Sequence, residues 1–130
     1  MALSSQYPID INARFYCPWY KIFSALSGGC SLEYSITDQS WYRYLIAIDG
    51  LEPEVLKLLW ITLAGSSLIV PESTRVVWFS SLMEPYKHYY PTKADLSDTL
   101  DTIDLLNSDL LQARLISNYA FAFAKTYLSQ

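Results

Sequence analysis

The sequence predicts an all-α fold, a single-domain bundle of five or six helices over residues 1–130. Three observations carry that prediction. Apolar residues recur at spacings of three and four along most of the chain, the period of one helix face. Residues that stop and start helices stand between those stretches, with Gly28–Gly29, Gly50 and Gly65 as stops and Asp38 and Pro53 as starts. Finally, 52% of the 130 residues are hydrophobic and only 17% are charged, against a usual charged share of about 25%. A chain of this size and composition buries a single core and is not disordered.

The elements follow in order. In residues 10–26, Phe15, Trp19, Ile22, Phe23 and Leu26 share one helical face. Pro18 either opens this helix or kinks it, and Gly28–Gly29 ends it. A second helix is capped by Thr37 or Asp38, presents Trp41, Tyr44, Leu45 and Ile48, and ends at Gly50. A third starts at Pro53, where Glu52 and Glu54 complement the positive helix end. Its face is Leu56, Leu59, Trp60 and Leu63, and Gly65 is its stop.

Residues 66–70 have strand composition, and residues 73–83 lean the same way by propensity. A helix is nevertheless favoured for 73–83. Pro71, Glu72 and Ser73 resemble a helix start, Val76, Phe79 and Met83 fit helical spacing, and two short strands alone make no stable sheet. Residues 84–91 form a Pro-bounded loop. From Thr92 the pattern is helical, with Leu96, Leu100, Ile103 and Leu106 or Leu110 on one side. Asp95, Asp98, Asp101 and Asp104 lie on the other, a solvated face. Residues 107–109 interrupt and re-cap. A final helix, Leu110–Leu128, turns Leu111, Leu115, Tyr119, Ala122 and Phe123 inward.

Little in the chain points to catalysis, and the reading is a non-enzyme with no cofactor. There is no phosphate-binding glycine loop and no GxSxG elbow. The lone histidine, His88, sits in a tyrosine-rich loop without an acid next to it to orient it. Cys17, Cys30 and His88 are too few for a four-ligand zinc site, so no metal is expected. The uncharged apolar stretch Leu58–Val70 at the centre is 13 residues, short of the ~20 that span a bilayer. Residues 1–6 carry neither a basic n-region nor an apolar h-region, which predicts a cytoplasmic protein.

Net charge is −4, the wrong sign for a stand-alone nucleic-acid binder. Aromatics make up 15% of the chain, too many for one small core, so some are expected at a binding surface. They interleave with basic residues at Arg14, Tyr16, Tyr20 and Lys21, around Arg43, and through residues 86–93, a pattern that suits base stacking with phosphate contact. Residues 61–94 sum to +1 and residues 95–130 to −3, so charge is polarised along the chain.

In size and helical plan the chain resembles the small subunits of Cascade-type CRISPR surveillance complexes. Asn12–Ile22 and the helical tail Leu110–Leu128 are similar to the C-terminal helical region of a Cascade large subunit. That resemblance implies a non-catalytic subunit, present in several copies. It would contact backbone and large subunits and steady crRNA, target DNA and the displaced strand through backbone contacts. Under it, Arg14, Lys21, Arg43, Lys57, Arg75, Lys87 and Lys93 are the candidates for phosphate contact, on charge and surroundings alone. The competing reading is a helical protein-interaction module, an adaptor or a phage- or virus-encoded inhibitor, with no nucleic-acid contact.

Overall fold

The structure is a computed structural model that describes residues 35–48 and 55–128. The first expected helix, with Arg14, Cys17 and Lys21, lies outside the described residues, as do Cys30, Gly50 and Glu52–Glu54.

The fold is mixed α/β, which corrects the all-α expectation. After a one-turn helix α1 (Ile36–Gln39) come strand β1 (Tyr44–Ile46), helix α2 (Val55–Ala64) and strand β2 (Ser67–Pro71). A 3₁₀ turn (Ser80–Leu82), strand β3 (Tyr90–Thr92), helix α3 (Thr99–Ser108) and helix α4 (Leu110–Phe123) follow. A wider π-helical turn, Ala124–Leu128, continues α4. Among the described residues the sheet has three strands in the order β1-β2-β3, all parallel. Leu45 pairs with Leu68, and Val70 with Pro91. No helix among the described residues is long and apolar enough to cross a membrane.

The second expected helix fails because its apolar residues alternate sides of a strand. Leu45 joins Leu68 and Val70 on one face of the sheet, against Ile61, Phe79 and Phe123. Tyr44 and Ile46 join Ile69 and Tyr90 on the other, against Leu106, Ala113 and Ile116. Neighbouring strand residues point to opposite faces, so both faces are covered and the central strand is apolar from Leu68 to Pro71. Within β2, Leu68 and Ile69 have no exposed surface. Pro91 sits in β3, at the end of the strand order, where a missing donor is tolerated.

Helix α2 ends where the sequence says. Gly65 has φ +81°, the left-handed conformation glycine takes at a helix stop, and the chain enters β2 two residues later. The face of α2 is shifted, however: Ile61 and Thr62 are buried and Leu63 is exposed.

Residues 73–83 form no helix beyond the 3₁₀ turn. A parallel pair needs a long crossover, and β2 reaches β3 through this loop instead of a helix. The loop is anchored as a helix would be, with Val77, Phe79 and Met83 buried against the sheet and Val76 outward.

The end of the chain corrects the expected inward face. Ala113, Ile116, Ser117, Ala120 and Phe123 are the buried positions of α4, whereas Leu111, Leu115 and Tyr119 are exposed. Small residues allow the backbone of α4 to approach the sheet closely, and Ser67 Oγ donates to the Ala113 carbonyl at 2.8 Å. The junction before α4 matches expectation: Asp109 caps it by accepting from the Gln112 amide at 3.0 Å.

Candidate active site at the carboxyl end of the sheet

Open parallel α/β sheets bind ligands in the crevice beyond the carboxyl ends of their strands. Here that end is formed by residues 47–48 after β1, Glu72–Arg75 after β2 and Lys93–Asp98 after β3. The last two segments are held side by side, since the Glu72 amide donates to the Thr92 carbonyl at 2.8 Å.

The turn after β3 is built by two aspartates. Asp95 Oδ1 accepts from the Ser97 amide at 3.0 Å, and Asp98 Oδ1 accepts from the Lys93 amide at 2.9 Å. The hydrogen bonds from Ser97, backbone first, hold the Asp95 carboxyl below the usual carboxylate range. Leu96 between them has φ +61°, a left-handed conformation that costs a residue with a Cβ about 1–2 kcal/mol. Because the Asp98 side chain is committed to Lys93, it makes no capping bond to α3. Two threonine hydroxyls, Thr92 Oγ1 and Thr99 Oγ1, are buried there without any hydrogen-bond partner. Nothing in the sequence distinguishes these two from other threonines.

The residues expected to touch phosphate do not share one surface. Arg75 and Lys93 are exposed at the carboxyl end of the sheet, beside Glu72. Arg43 precedes β1, at the amino end. Lys57 is half-buried on α2. Lys87 is paired with Glu84 at 2.6 Å in the loop leading into β3. Arg14 and Lys21 lie outside the described residues. The fold thus separates the charges that the linear sequence groups into one basic face.

His88 is also placed differently from expectation. It is buried, and its Nδ1 accepts from the Glu84 amide at 2.9 Å, which leaves the proton on Nε2. Burial lowers its pKa, the Lys87 charge lowers it further, and the Glu84 charge opposes both. A main-chain amide, rather than an acid, orients this ring. The aspartates 101 and 104 are exposed on α3, as a solvated face should be. No group of three His, Cys, Asp or Glu able to hold a metal occurs among the described residues.

Comparison with known proteins identifies the family. A sequence model described as glycosyl transferase family 90 matches residues 1–130. The chain is 36% identical over 99 residues to the uncharacterized protein 179R of Invertebrate iridescent virus 6, covering 72% of this chain and 8% of the viral protein. It is 30% identical over 111 residues to Protein O-glucosyltransferase 2 of Danio rerio, covering 85% of this chain and 22% of that protein. The chain therefore spans less than a quarter of the length of these curated relatives.

These matches overturn the resemblance to a Cascade small subunit, together with the crRNA, target-DNA and CRISPR-subunit partners it implied. They also overturn the reading as a non-enzyme. That reading rested on missing local motifs, and a site assembled from the ends of separate strands leaves none. The chain belongs to glycosyl transferase family 90.

Proposed function

We propose that this chain contributes to glycosyl transfer and that the carboxyl end of its sheet contacts an activated sugar donor. The family match over residues 1–130 carries this reading. The parallel strand order supports the location. In glycosyl transfer, an acceptor oxygen attacks the anomeric carbon, the bond to the leaving group breaks, and the hydroxyl proton passes to a base. A phosphate-bearing leaving group gains negative charge, which fixed cations stabilise. Among the described residues Arg75 and Lys93 are the cations of this end, and Glu72 and Asp95 are its exposed carboxylates. The name of the Danio rerio relative suggests glucose as the sugar and a protein hydroxyl as the acceptor.

Calorimetric titration of the chain with UDP-glucose and other nucleoside-diphosphate hexoses tests this. Arg75→Ala and Lys93→Ala are each expected to weaken donor binding about tenfold, or about 1.4 kcal/mol. Lys87→Gln, in the loop leading into β3, is expected to leave it unchanged. Unaltered donor affinity in both carboxyl-end variants would overturn the assignment.

A further inference from the structure

The amino end of the sheet carries a second concave surface. A cavity of about 400 Å³ lies between the α1–β1 turn, the end of α2 and the start of α4. Its volume is within the range of about 300–1,000 Å³ typical of small-molecule sites.

The cavity is lined by Arg43 and Arg114, and among the described residues no Asp or Glu lines it. In a chain of net charge −4, two arginines without a lining acid are unexpected. Among the described residues, neither guanidinium has a hydrogen bond or an ion pair. Each offers five N–H donors and no acceptor. The four lining serines are already committed: Ser40 Oγ donates to the Thr37 carbonyl, Ser66 Oγ to that of Tyr42, Ser67 Oγ to that of Ala113 and Ser117 Oγ to that of Arg114. The free hydrogen-bonding capacity of the side chains is therefore donor-rich and cationic. Helix α2 ends at the cavity with Ala64, but a helix C-terminus carries only about half a negative charge, against two full positive ones.

Trp41 supplies the other half of the site. Its side chain lines the same cavity and is 84% exposed, so a large planar apolar surface faces solvent beside the two cations. Leaving an indole in water forgoes the burial free energy that its area would return in a core. An indole next to unpaired guanidiniums matches a ligand with one ring face and one anionic group.

We infer that this cavity binds a small oxyanion carried on a ring, with Arg43 and Arg114 on the phosphate or carboxylate and Trp41 against the ring. The site is separate from the carboxyl end of the sheet and does not depend on where the sugar donor binds.

Nuclear magnetic resonance titration of the full chain tests it, read at the Trp41 indole N–H. That signal is identified by its loss in Trp41→Phe. Glucose 6-phosphate and glucuronate serve as the phosphate and carboxylate probes, with glucose and inorganic phosphate as the two halves. Glucose 6-phosphate or glucuronate is expected to move the Trp41 signal saturably, and whichever binds more tightly identifies the anion. Glucose is expected to leave the signal in place, and inorganic phosphate to bind at least tenfold more weakly than its sugar ester. Arg43→Gln and Arg114→Gln are each expected to raise the dissociation constant about tenfold. Their unchanged amide spectra away from the cavity would show that the fold is kept. The proposal is overturned if neither anionic sugar moves the signal, if glucose moves it equally, if inorganic phosphate binds as tightly as its ester, or if both arginine variants bind as the wild type does.

Discussion

The two ends of the sheet are built on different terms. At the amino end, small side chains of α4 pack close to β2, and the serine hydroxyls of the β2 entrance each donate to a main-chain carbonyl. At the carboxyl end, two buried threonine hydroxyls have no partner, one leucine is left-handed, and an aspartate that could cap a helix serves a turn instead. The amino end pairs its buried serine hydroxyls, while the carboxyl end leaves two buried threonine hydroxyls open. Proteins depart from local rules mainly at functional sites, and the unpartnered buried hydroxyls lie at the end where parallel sheets bind their ligands.

The largest expected effect probes what the two ends share. Phe79 is 1% exposed and packs edge-on to Trp78 and tilted against Phe123, in the loop that replaces a crossover helix. Phe79→Ala is expected to cost about 3–5 kcal/mol in chemical denaturation, the usual penalty for emptying an aromatic core position. A cost below about 1 kcal/mol would mean that the loop is not part of the core.

Next come two substitutions of opposite expected sign, which set one end of the sheet against the other. Ser67→Ala removes the donor to the buried Ala113 carbonyl and is expected to cost about 1–3 kcal/mol. Thr99→Val replaces an unpartnered, fully buried hydroxyl with a methyl group of the same shape and is expected to gain about 1 kcal/mol. Equal signs in thermal melts of the two variants would erase the distinction drawn between the ends.

The smallest effect is a pH dependence. Burial lowers the pKa of His88 in the folded chain, so the unfolded chain takes up a proton first on acidification. Its contribution to stability is complete above about pH 6.5, the unfolded value, and is lost as pH falls through the folded value. The urea midpoint of the wild type is expected to drop between pH 7 and pH 5.5. In His88→Asn, whose amide oxygen still accepts from the Glu84 amide, that drop should vanish across the same window. The lowered carboxyl pKa values of Glu84 and Asp95 act in the same direction, but below about pH 4.5. A variant with the full wild-type slope would assign the effect to other groups.

Part of the candidate site was legible in the sequence. Lys93 stands in the aromatic-rich stretch 86–93 and Arg75 is a candidate on charge and surroundings alone, and both stand at the carboxyl end of the sheet. Their expected partner, a nucleic acid, was wrong, because charge alone does not say which phosphate it meets. Thr92 and Thr99 were not legible, since burial without a partner is a property of the packed chain and not of a residue type.

What the sequence determined by itself is local. Gly65 ends α2 and Asp109 starts α4, because the left-handed turn and the side-chain cap each depend on residues within a few positions. The π-helical end of the chain continues the expected last helix for the same reason. What the tertiary structure decided is non-local. Strands β1 and β3 are three residues long, too short to show a period of two, and they become strands only by pairing with β2 more than twenty residues away in one case and about twenty in the other. The inward face of α4 was likewise set by contact: the sheet accepts alanine and serine at close range, so the leucines that periodicity alone would bury are turned to the outside.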